Sequence, residues 1–384
     1  NIINKYIIII NMDNINVKIS NLEENDEVLK FTLSNVNVSY ANSLRRTILA
    51  NIPLLVFRTQ PYTSNNVNIK ANKTRLNNEL LKQRISCIPI HITEISDFPY
   101  QDYVVELNKE NNTNITDFVT TGDFKIKNIK LDNYLTDSEV KEIFPPDPIT
   151  QDYIDIVRLR PKMAENIESE KLVFQAKLDI GTAEEDGAFN VVSTCSYGNT
   201  MDAIKIKEAW ELKEEELKVK YNKEQIEFMK KDWLLLDAKR IFVDDSFDFI
   251  IETVGVYSNY KIVELGCLVL IKSLNKTLDS IKNDSSLIKE ANDTMENCYI
   301  ITIENEDYTI GKILEFYLYN KYFQEKKQLN FVGFLKKHPH DDNSIIKVSF
   351  KNVISKDEII YIVEEAVNYG ILLYNNIKTY FSES

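Results

Sequence analysis

The sequence predicts an α+β chain in which one unit, a strand–helix–strand–strand–helix succession, occurs twice. Stretches that alternate polar and apolar residues and stretches with helical spacing follow one another in the same order near both ends of the chain. A polar and partly strand-like region interrupts the first copy. Each copy ends in a long helix with an apolar stripe. A small sheet cannot cover such a stripe, so we expect the two helices to bury their stripes against each other, as an intrachain pseudo-dimer.

The composition argues against several classes of function. A chain of 384 residues is long enough for two or three domains. Its net charge of −13 is unfavourable for wrapping a nucleic-acid backbone, which requires an excess of Lys and Arg. Few His and Cys, without CxxC spacing, argue against zinc modules, and the absence of a glycine-rich loop argues against a nucleotide site. We expect the cysteines to be reduced core residues: Cys87, Cys195, Cys267 and Cys298.

The first copy begins with an alternating strand and a capped helix. Ser39 is the predicted N-cap of that helix, and Pro53 follows its end. The predicted elements are a strand at 27–33, a helix at 39–51, an extended stretch at 54–58, a helix at 76–85 and a strand at 88–92.

The inserted region is predicted to be mostly β. Residues 93–150 are polar and rich in Asn, and they end in a Pro-rich segment, which is typical of surface loops. Residues 171–194 have strand patterns, and a charged helix is predicted over 205–231. An apolar stripe on that helix is more typical of packing than of a partner groove. The stripe comprises Trp210, Leu217, Tyr221 and Phe228.

The first copy resumes and the second copy follows it. The seam of the last helix repeats at intervals of four and three residues, which is the spacing of a helix that packs on another helix. Asp307 or Thr309 is predicted to cap the preceding helix. The predicted elements are a strand at 247–253, a helix at 260–282, a linker at 283–297, a strand at 300–303, a helix at 307–324, strands at 331–335 and 345–350, and a helix at 356–380.

Two motifs in the first copy resemble a known family. The first is Ala41-Asn42-Ser43-Leu44-Arg45-Arg46-Thr47-Ile48-Leu49, with Ile52-Pro53 after it. The second comprises Asn72, Thr74, Asn78-Glu79-Leu80-Leu81, Arg84 and Ile88-Pro89-Ile90. Together they resemble the alpha-type subunits of multisubunit RNA polymerases, except that Asn78 replaces the first acid of the family's acidic pair.

The C-terminal copy is similar to the smaller partner of that family, the eleventh subunit of eukaryotic polymerases and its archaeal L counterpart. The similar residues are the run from Glu306 to Leu314, then Phe331-Val332-Gly333-Phe334, then His338-Pro339-His340. Asp341-Asp342 depart from this pattern, which usually has an apolar residue there. The chain therefore resembles a larger and a smaller partner fused in one polypeptide, which is a feature of some large cytoplasmic DNA viruses.

The resemblance implies a division into domains. The larger alpha-like dimerisation domain comprises 12–92 and 239–283, the inserted domain 93–238, a linker 284–297 and the smaller alpha-like domain 298–384. Residues 1–11 are expected to be non-native or disordered.

The resemblance also implies a function: a non-catalytic assembly subunit that holds the two largest subunits of a DNA-directed RNA polymerase. The catalytic Mg²⁺ then belongs to the largest subunit. No cofactor is expected in this chain, because Cys195 alone cannot hold a zinc ion or an iron–sulfur cluster in the inserted domain. A small subunit of the tenth-subunit type is a further expected partner. We expect DNA to be contacted only through the complex, and we expect no membrane to be involved. The expected location is intracellular, in a viral factory or virion, or in the nucleus for a host protein.

Two sets of residues are implied as interfaces. Arg45 and Arg46 lie about 100° apart on the first helix and therefore point in different directions. The surface for the large subunits comprises Asn42, Arg45, Arg46, Glu79 and Arg84. The pseudo-dimer interface comprises Ile262, Leu265, Val269, Leu274, Ile310, Ile313, Leu314, Val363, Ala366, Gly370, Leu373 and Ile377.

Three other interpretations are weaker. An interaction scaffold of the same fold outside a polymerase is the alternative, because a fold does not imply a function. A metal site or hydrolase at His338 and His340 lacks further ligands, and a turn is favoured there. Cys87 and His91 lack an acid that would orient them as a nucleophile and its base.

Overall fold

The computed structural model describes residues 16–25, 27–162, 164, 166–291 and 294–382, so the expectation for residues 1–11 lies outside the described residues. The strands are β1 (Lys18–Asn25), β2 (Val28–Ser34), β3 (Leu54–Val56), β4 (Val67–Asn72), β5 (Tyr103–Glu110), β6 (Asp117–Thr120), β7 (Lys125–Asn128), β8 (Asn133–Tyr134), β9 (Asp155–Leu159), β10 (Lys171–Lys177), β11 (Asp179–Gly181), β12 (Val192–Met201), β13 (Phe242–Thr253), β14 (Ile288–Glu290), β15 (Cys298–Ile303), β16 (Leu329–Leu335) and β17 (Ser344–Phe350). The α-helices are α1 (Val38–Ala50), α2 (Asn78–Ser86), α3 (Asp137–Ile143), α4 (Ala203–Lys218), α5 (Lys223–Leu235), α6 (Asn259–Asn283), α7 (Tyr308–Tyr317) and α8 (Lys356–Thr379).

One compact unit contains two sheets with the same strand order. It comprises the described residues up to Ile48, residues 194–252 and the described residues from Asn259 onward. The sheets run β1-β2-β13-β12 and β14-β15-β17-β16, so in each the fourth strand of the set lies between the second and the third. In each set a helix follows the second strand and a long helix follows the fourth. The observed unit is therefore strand–strand–helix–strand–strand–helix, with one strand more than predicted.

The additional strand was missed in both copies for a local reason. In β1 most side chains are polar and exposed, so it lacks the alternation that marks a half-buried strand. In β14 only three residues pair with β15, inside the segment predicted as a linker. The linker prediction is wrong for Ile288–Glu290, because this short edge strand covers the side of β15.

The first sheet forms its core from the residues whose alternation predicted it. Leu29, Phe31 and Leu33 on β2 are buried, as are Phe247 and Phe249 on β13. Phe31 lies opposite Phe249 in the register, and their rings stack with centroids 5.1 Å apart. Burial of two stacked rings adds to the apolar area that fixes this register.

Helices α6 and α8 pack against each other along their apolar faces. A Cβ atom added at Gly370 would lie 3.0 Å from a terminal methyl group of Leu274, so the two helices approach closely at this glycine. At the same end, the hydroxyl of Tyr374 on α8 donates to the carbonyl oxygen of Tyr40 on α1 at 3.2 Å. The predicted stripe of α6 is partly wrong, since Leu265 and Val269 are only half-buried. The buried α6 residues are Asn259, Ile262, Val263, Gly266, Cys267, Leu270, Leu274, Thr277, Leu278 and Ile281.

The second compact unit comprises Leu49–Ser193 and Thr253–Ser258. It holds the five-stranded sheet β4-β10-β5-β7-β8 and the pairs β3–β11 and β6–β9. The rings of Phe57, Phe124, Phe144 and Phe174 form the centre of its core. The bounds of the two units differ from those of the predicted domains, and the domain division stays a prediction.

Two predictions are wrong inside this unit. The stretch 93–150 was predicted as loops, but it contains β5 to β8 and α3. The prediction failed because the few apolar residues of these elements lie between many Asn and Asp. The predicted strand at 88–92 is irregular, because Pro89 has no backbone N–H to donate to a ladder. Ile88 and Ile90 are nevertheless buried, and the amide of His91 donates to the carbonyl of Ile143 at 3.0 Å.

The predicted charged helix at 205–231 is two helices, α4 and α5, separated by a turn. Asn222 caps α5 with a capping box, which was overlooked because the apolar spacing continues through the turn. The stripe is therefore not one face: Trp210 is buried, whereas Tyr221 lies in the turn and Phe228 is 74% exposed. The small core of this hairpin is formed by Ile206, Trp210, Ile226, Trp233 and Ala238.

Two helix starts refine the predicted caps. The side chain of Asn37, not Ser39, caps α1, since its Oδ1 accepts from the amide of Ser39 at 3.0 Å. Asp307 caps α7, with its Oδ1 accepting from the amide of Thr309 at 2.8 Å. Helix α7 then continues as a π-helical segment, Leu318–Glu325. The last helix begins with a capping box at Ser355 and Glu358, and its predicted extent is confirmed.

Candidate protein-interaction surface

Helix α1 separates a buried face from a face of polar residues. Ala41, Leu44 and Ile48 are fully buried, while Asn42, Arg45 and Arg46 are half-buried. The helical period places these polar residues away from the core. The first motif thus combines packing residues with three side chains that can donate or accept hydrogen bonds near the surface.

Arg45 is held by Asn42 on the same helix. Its Nε and Nη2 donate to Oδ1 of Asn42 at 3.1 Å and 3.0 Å. These bonds use two of the five donors of a guanidinium. Burial raises the pKa of the nearby Cys195 thiol on β12 to about 12, and the charge of Arg45 acts in the opposite direction. The Asn42–Arg45 pair therefore presents an oriented guanidinium beside an unreactive thiol.

Arg46 is bound within the chain. Its Nη2 pairs with the carboxylate of Asp307, and its Nε donates to the hydroxyl of Thr309 at 2.9 Å. Ser43 adds a bond from its hydroxyl to the carbonyl oxygen of Thr309 at 2.7 Å. The start of α7 is thereby fixed against α1. Sequence reasoning identified Asp307 and Thr309 as candidate caps but missed this contact, for which the motif gives no local signal.

Glu79 and Arg84 lie on α2, in the other compact unit. Both are exposed, and Nη2 of Arg84 donates to the carbonyl oxygen of Asp155 at 2.9 Å. Asn77 caps the helix, and Leu81 and Ile85 face the core. The structure thus brings Asn42 together with Arg45, and Arg46 together with Asp307. Glu79 and Arg84 lie in the other compact unit.

The Asn-x-Thr part of the second motif builds the loop before α2. Oδ1 of Asn72 accepts from the amide and the hydroxyl of Thr74 at 2.9 Å and 2.8 Å. Its Nδ2 donates to the carbonyl oxygen of Leu76 and to Oδ1 of Asn78. These bonds replace backbone pairs that an irregular loop lacks, so the motif orients α2 rather than offering a free amide.

The residues predicted for the pseudo-dimer interface are mostly buried. The buried ones are Ile262, Leu274, Ile310, Ile313, Leu314, Val363, Ala366, Gly370, Leu373 and Ile377. Tyr40 and Tyr374 belong to the same packing region and were not predicted, because a Tyr has no apolar signature in a periodic pattern.

The other candidate sites, at His338, His340 and Cys87, show no arrangement of side chains typical of a metal or catalytic site among the described residues. His338 and His340 occupy a turn in which the amide of His340 donates to Nδ1 of His338 at 3.1 Å. Among the described residues, no group of three or more His, Cys, Asp or Glu side chains could hold a metal ion. Cys87 is exposed at the end of α2, which corrects the expectation of a core residue, whereas the other cysteines are buried.

Within the described ranges, no helix has the length and hydropathy needed to cross a membrane.

Comparison with known proteins identifies the family. The model of the RNA polymerase Rpb3/Rpb11 dimerisation domain matches residues 30–274. The chain is 24% identical over 286 residues to DNA-directed RNA polymerase subunit Rpo3 of Pyrococcus horikoshii, covering 69% of this chain and 98% of that subunit. It is 22% identical to Rpo3 of Pyrococcus furiosus, covering 70% and 99%. It is 36% identical over 74 residues to subunit 3B of RNA polymerases IV and V of Arabidopsis thaliana, covering 19% and 20%. The chain therefore belongs to the family of the RNA polymerase Rpb3/Rpb11 dimerisation domain.

Proposed function

We propose that this chain is a non-catalytic assembly subunit of a DNA-directed RNA polymerase. The observation that carries the proposal is the similarity to archaeal Rpo3, which extends over almost the whole length of that subunit. Nucleotide addition then occurs in the large subunits, where the catalytic Mg²⁺ is bound, and this chain needs no cofactor of its own.

We further propose that the chain is a fusion of a larger and a smaller alpha-type partner that form an intrachain pseudo-dimer. The repeated strand order of the two sheets supports this proposal. So do the packing of α6 on α8 and the bonds from Ser43 and Arg46 to Thr309. Covalent linkage raises the effective concentration of each half for the other and fixes their ratio at one to one. The fused order is also the basis for proposing a large DNA virus as the source, with a viral factory or virion as the location.

The proposed surface for the two largest subunits comprises Asn42, Arg45, Arg46, Glu79 and Arg84. Arg45 is the residue that we expect to contribute most, because its planar guanidinium is already oriented by Asn42. Arg46 contributes indirectly, by fixing the start of α7 through Asp307. A small subunit of the tenth-subunit type is proposed as a further partner, and DNA is contacted only through the complex.

The composition of the native complex tests the proposal. The tagged chain is purified from its native cells, and the polypeptides that elute with it are identified and quantified. We expect two very large polypeptides, each in a one-to-one ratio with the tagged chain. A chain that elutes alone, or with other partners, would favour the alternative of a scaffold outside a polymerase.

A further inference from the structure

Strand β12 lies at the edge of the first sheet, and its outer edge is open. In the order β1-β2-β13-β12 it pairs only with β13. In the described part of the chain, no loop backbone bonds to residues 194–201. Ser196, Gly198 and Asn199 are exposed, and a Cβ atom added at Gly198 would meet nothing within 4 Å. An open edge of this kind presents unpaired N–H and C=O groups to a further strand.

The other edges of the two four-stranded sheets are protected against such pairing. Strand β1 carries charged side chains, and its register with β2 is irregular. Strand β14 has only three residues. On β16 the amide of Phe334 already donates to Oε1 of Glu315 at 2.9 Å. In contrast, β12 has ten residues without a charged side chain or a proline. Because soluble proteins normally protect long edge strands, this exception indicates an edge that is used.

Arg45 lies beside β12 on the side of the sheet that faces the core. The ring of Tyr197 on β12 contacts that of Phe247 with centroids 5.1 Å apart, so this side chain points to the core. Burial raises the pKa of the Cys195 thiol and of the Tyr197 hydroxyl, and the charge of Arg45 opposes the rise in both. Among the described residues, its guanidinium hydrogen-bonds only to Asn42. The positive charge beside this edge therefore has no carboxylate partner among them.

We propose that an extended segment of another polypeptide pairs with the open edge of β12 as a fifth strand of this sheet, and that it places a carboxylate beside Arg45. Main-chain hydrogen bonds hold an added strand, and its side chains at alternate positions give specificity. An Asp or Glu on the core side of that strand can form a bidentate pair with the guanidinium. A second copy of β12 is disfavoured, because it offers no carboxylate and would bring two Arg45 side chains to one edge. The proposal rests on the proposed partner surface at Arg45, but not on the partner being a polymerase subunit.

Amide hydrogen exchange tests the backbone pairing in the full chain. Exchange is compared between the material purified from native cells and the chain purified alone. We expect about half of the amides of 194–201 to exchange at least tenfold more slowly in the native material, because alternate residues of a strand face one edge. The amides of β16 are the control, because Glu315 already bonds at that edge, and they should change by less than about twofold. No protection of β12, or equal protection of both strands, would overturn the proposal.

Photo-crosslinking identifies the added segment. Ser196 is replaced by p-benzoylphenylalanine, the tagged chain is irradiated in its native cells, and the crosslinked peptides are sequenced. We expect a stretch of another polypeptide without proline and with an Asp or Glu close to the crosslinked position. A segment from a second copy, a segment without an acidic residue, or no crosslink would overturn the proposal.

Charge reversal tests the role of Arg45 at this edge. Arg45→Glu is expected to lower the crosslink yield about tenfold, because an attraction becomes a repulsion. Arg240→Glu makes the same change at an exposed arginine and should leave the yield at the wild-type level. Equal yields from the two variants would contradict the carboxylate beside Arg45.

The failure of this proposal and that of the proposed function are distinguishable. Protection of β12 by a partner outside a polymerase would overturn the proposed function and leave the strand addition intact. Polymerase subunits that elute with the chain without protecting β12 would do the reverse.

Discussion

Arg46 belongs to the first motif, but its ion pair with Asp307 gives it an intrachain role that the motif does not predict. The two residues are 261 positions apart, and each side chain is only about a third exposed. The sequence predicted Arg46 as a surface residue for a partner, because the motif is local and its intrachain partner is not. In contrast, the capping role of Asp307 was predictable, because a cap depends on residues two or three positions away.

The first prediction separates the two roles of Asp307. Asp307→Ala removes both the cap of α7 and the partner of Arg46, and we expect it to lower the free energy of unfolding by about 1–2 kcal/mol. Asp307→Asn keeps a capping oxygen and loses only the charge, so we expect a loss of about 0.5 kcal/mol, given the exposure of the pair. Denaturant unfolding measures both values. Equal losses would mean that the cap contributes little.

The second prediction concerns Arg45. Arg45→Ala is expected to leave the free energy of unfolding within about 0.5 kcal/mol of wild type, since among the described residues its side chain hydrogen-bonds only to Asn42 on its own helix. We expect recruitment of the two large polypeptides to fall, and Arg45→Lys to restore it poorly because an ammonium group lacks the planar fork. Arg240→Ala, at an exposed arginine in the same compact unit, is the control. Normal recruitment by Arg45→Ala would remove Arg45 from the proposed surface.

At the scale of elements, the sequence predicted the helices and strands that have a strong local pattern of apolar residues. Helix α8 was predicted almost to the residue, because its apolar period runs from one end to the other. The capping box at Ser355 was not part of that prediction. The four strands β5 to β8 were missed for two reasons. Strands β5 and β6 pair with the distant strands β10 and β9, and β7 and β8 are only four and two residues long, too short for a clear alternation. The α4–α5 hairpin was predicted as one helix, because the turn between them lacks Gly and Pro.

The third prediction tests the packing of α6 on α8. Leu373 is fully buried on α8, and Leu373→Asp would place an unpaired charge in that seam. We expect a loss of several kcal/mol of stability, about 3 kcal/mol or more, or a chain that does not fold. Tyr361→Asp, at a half-exposed position of the same helix, is the matched control and should cost much less. Thermal unfolding compares the two. An unchanged transition for Leu373→Asp would contradict the buried seam.

At the scale of the whole molecule, the chain combines a repeated sheet topology with a second compact unit inserted in the first copy. The repetition was predictable, since both copies follow the same order of patterns. The additional edge strands β1 and β14 and the bounds of the two units were not predictable from the sequence. They depend on tertiary contacts, which local sequence patterns do not show. The fold alone does not identify a function, and the similarity to archaeal Rpo3 is what supports a role in an RNA polymerase.

The fourth prediction concerns alkaline pH. Burial raises the pKa of the Cys267 thiol and of the Tyr40 and Tyr374 hydroxyls, so they stay neutral in the folded chain when the unfolded chain ionises. Stability is then fully present below the unfolded thiol pKa near 8.5 and decreases as pH rises above it.

Denaturant unfolding between pH 7.5 and 10 measures this loss. For Cys267 alone we expect about 2 kcal/mol at pH 10, from about 1.4 kcal/mol per pH unit. Cys267→Ala should remove that part of the pH dependence, whereas Cys87→Ala should not, because Cys87 is exposed. Parallel pH profiles for wild type and Cys267→Ala would mean that the thiol ionises in the folded state.

RNA synthesis by the material that elutes with the tagged chain tests the assignment to an RNA polymerase most directly. Incorporation of ribonucleotides is measured with and without a DNA template, for the wild-type chain and for the Arg45→Ala and Arg240→Ala variants. We expect template-dependent synthesis with wild type and Arg240→Ala, and a clear loss with Arg45→Ala. A wild-type chain that elutes intact and abundant, but without template-dependent synthesis, would contradict the assignment to an RNA polymerase.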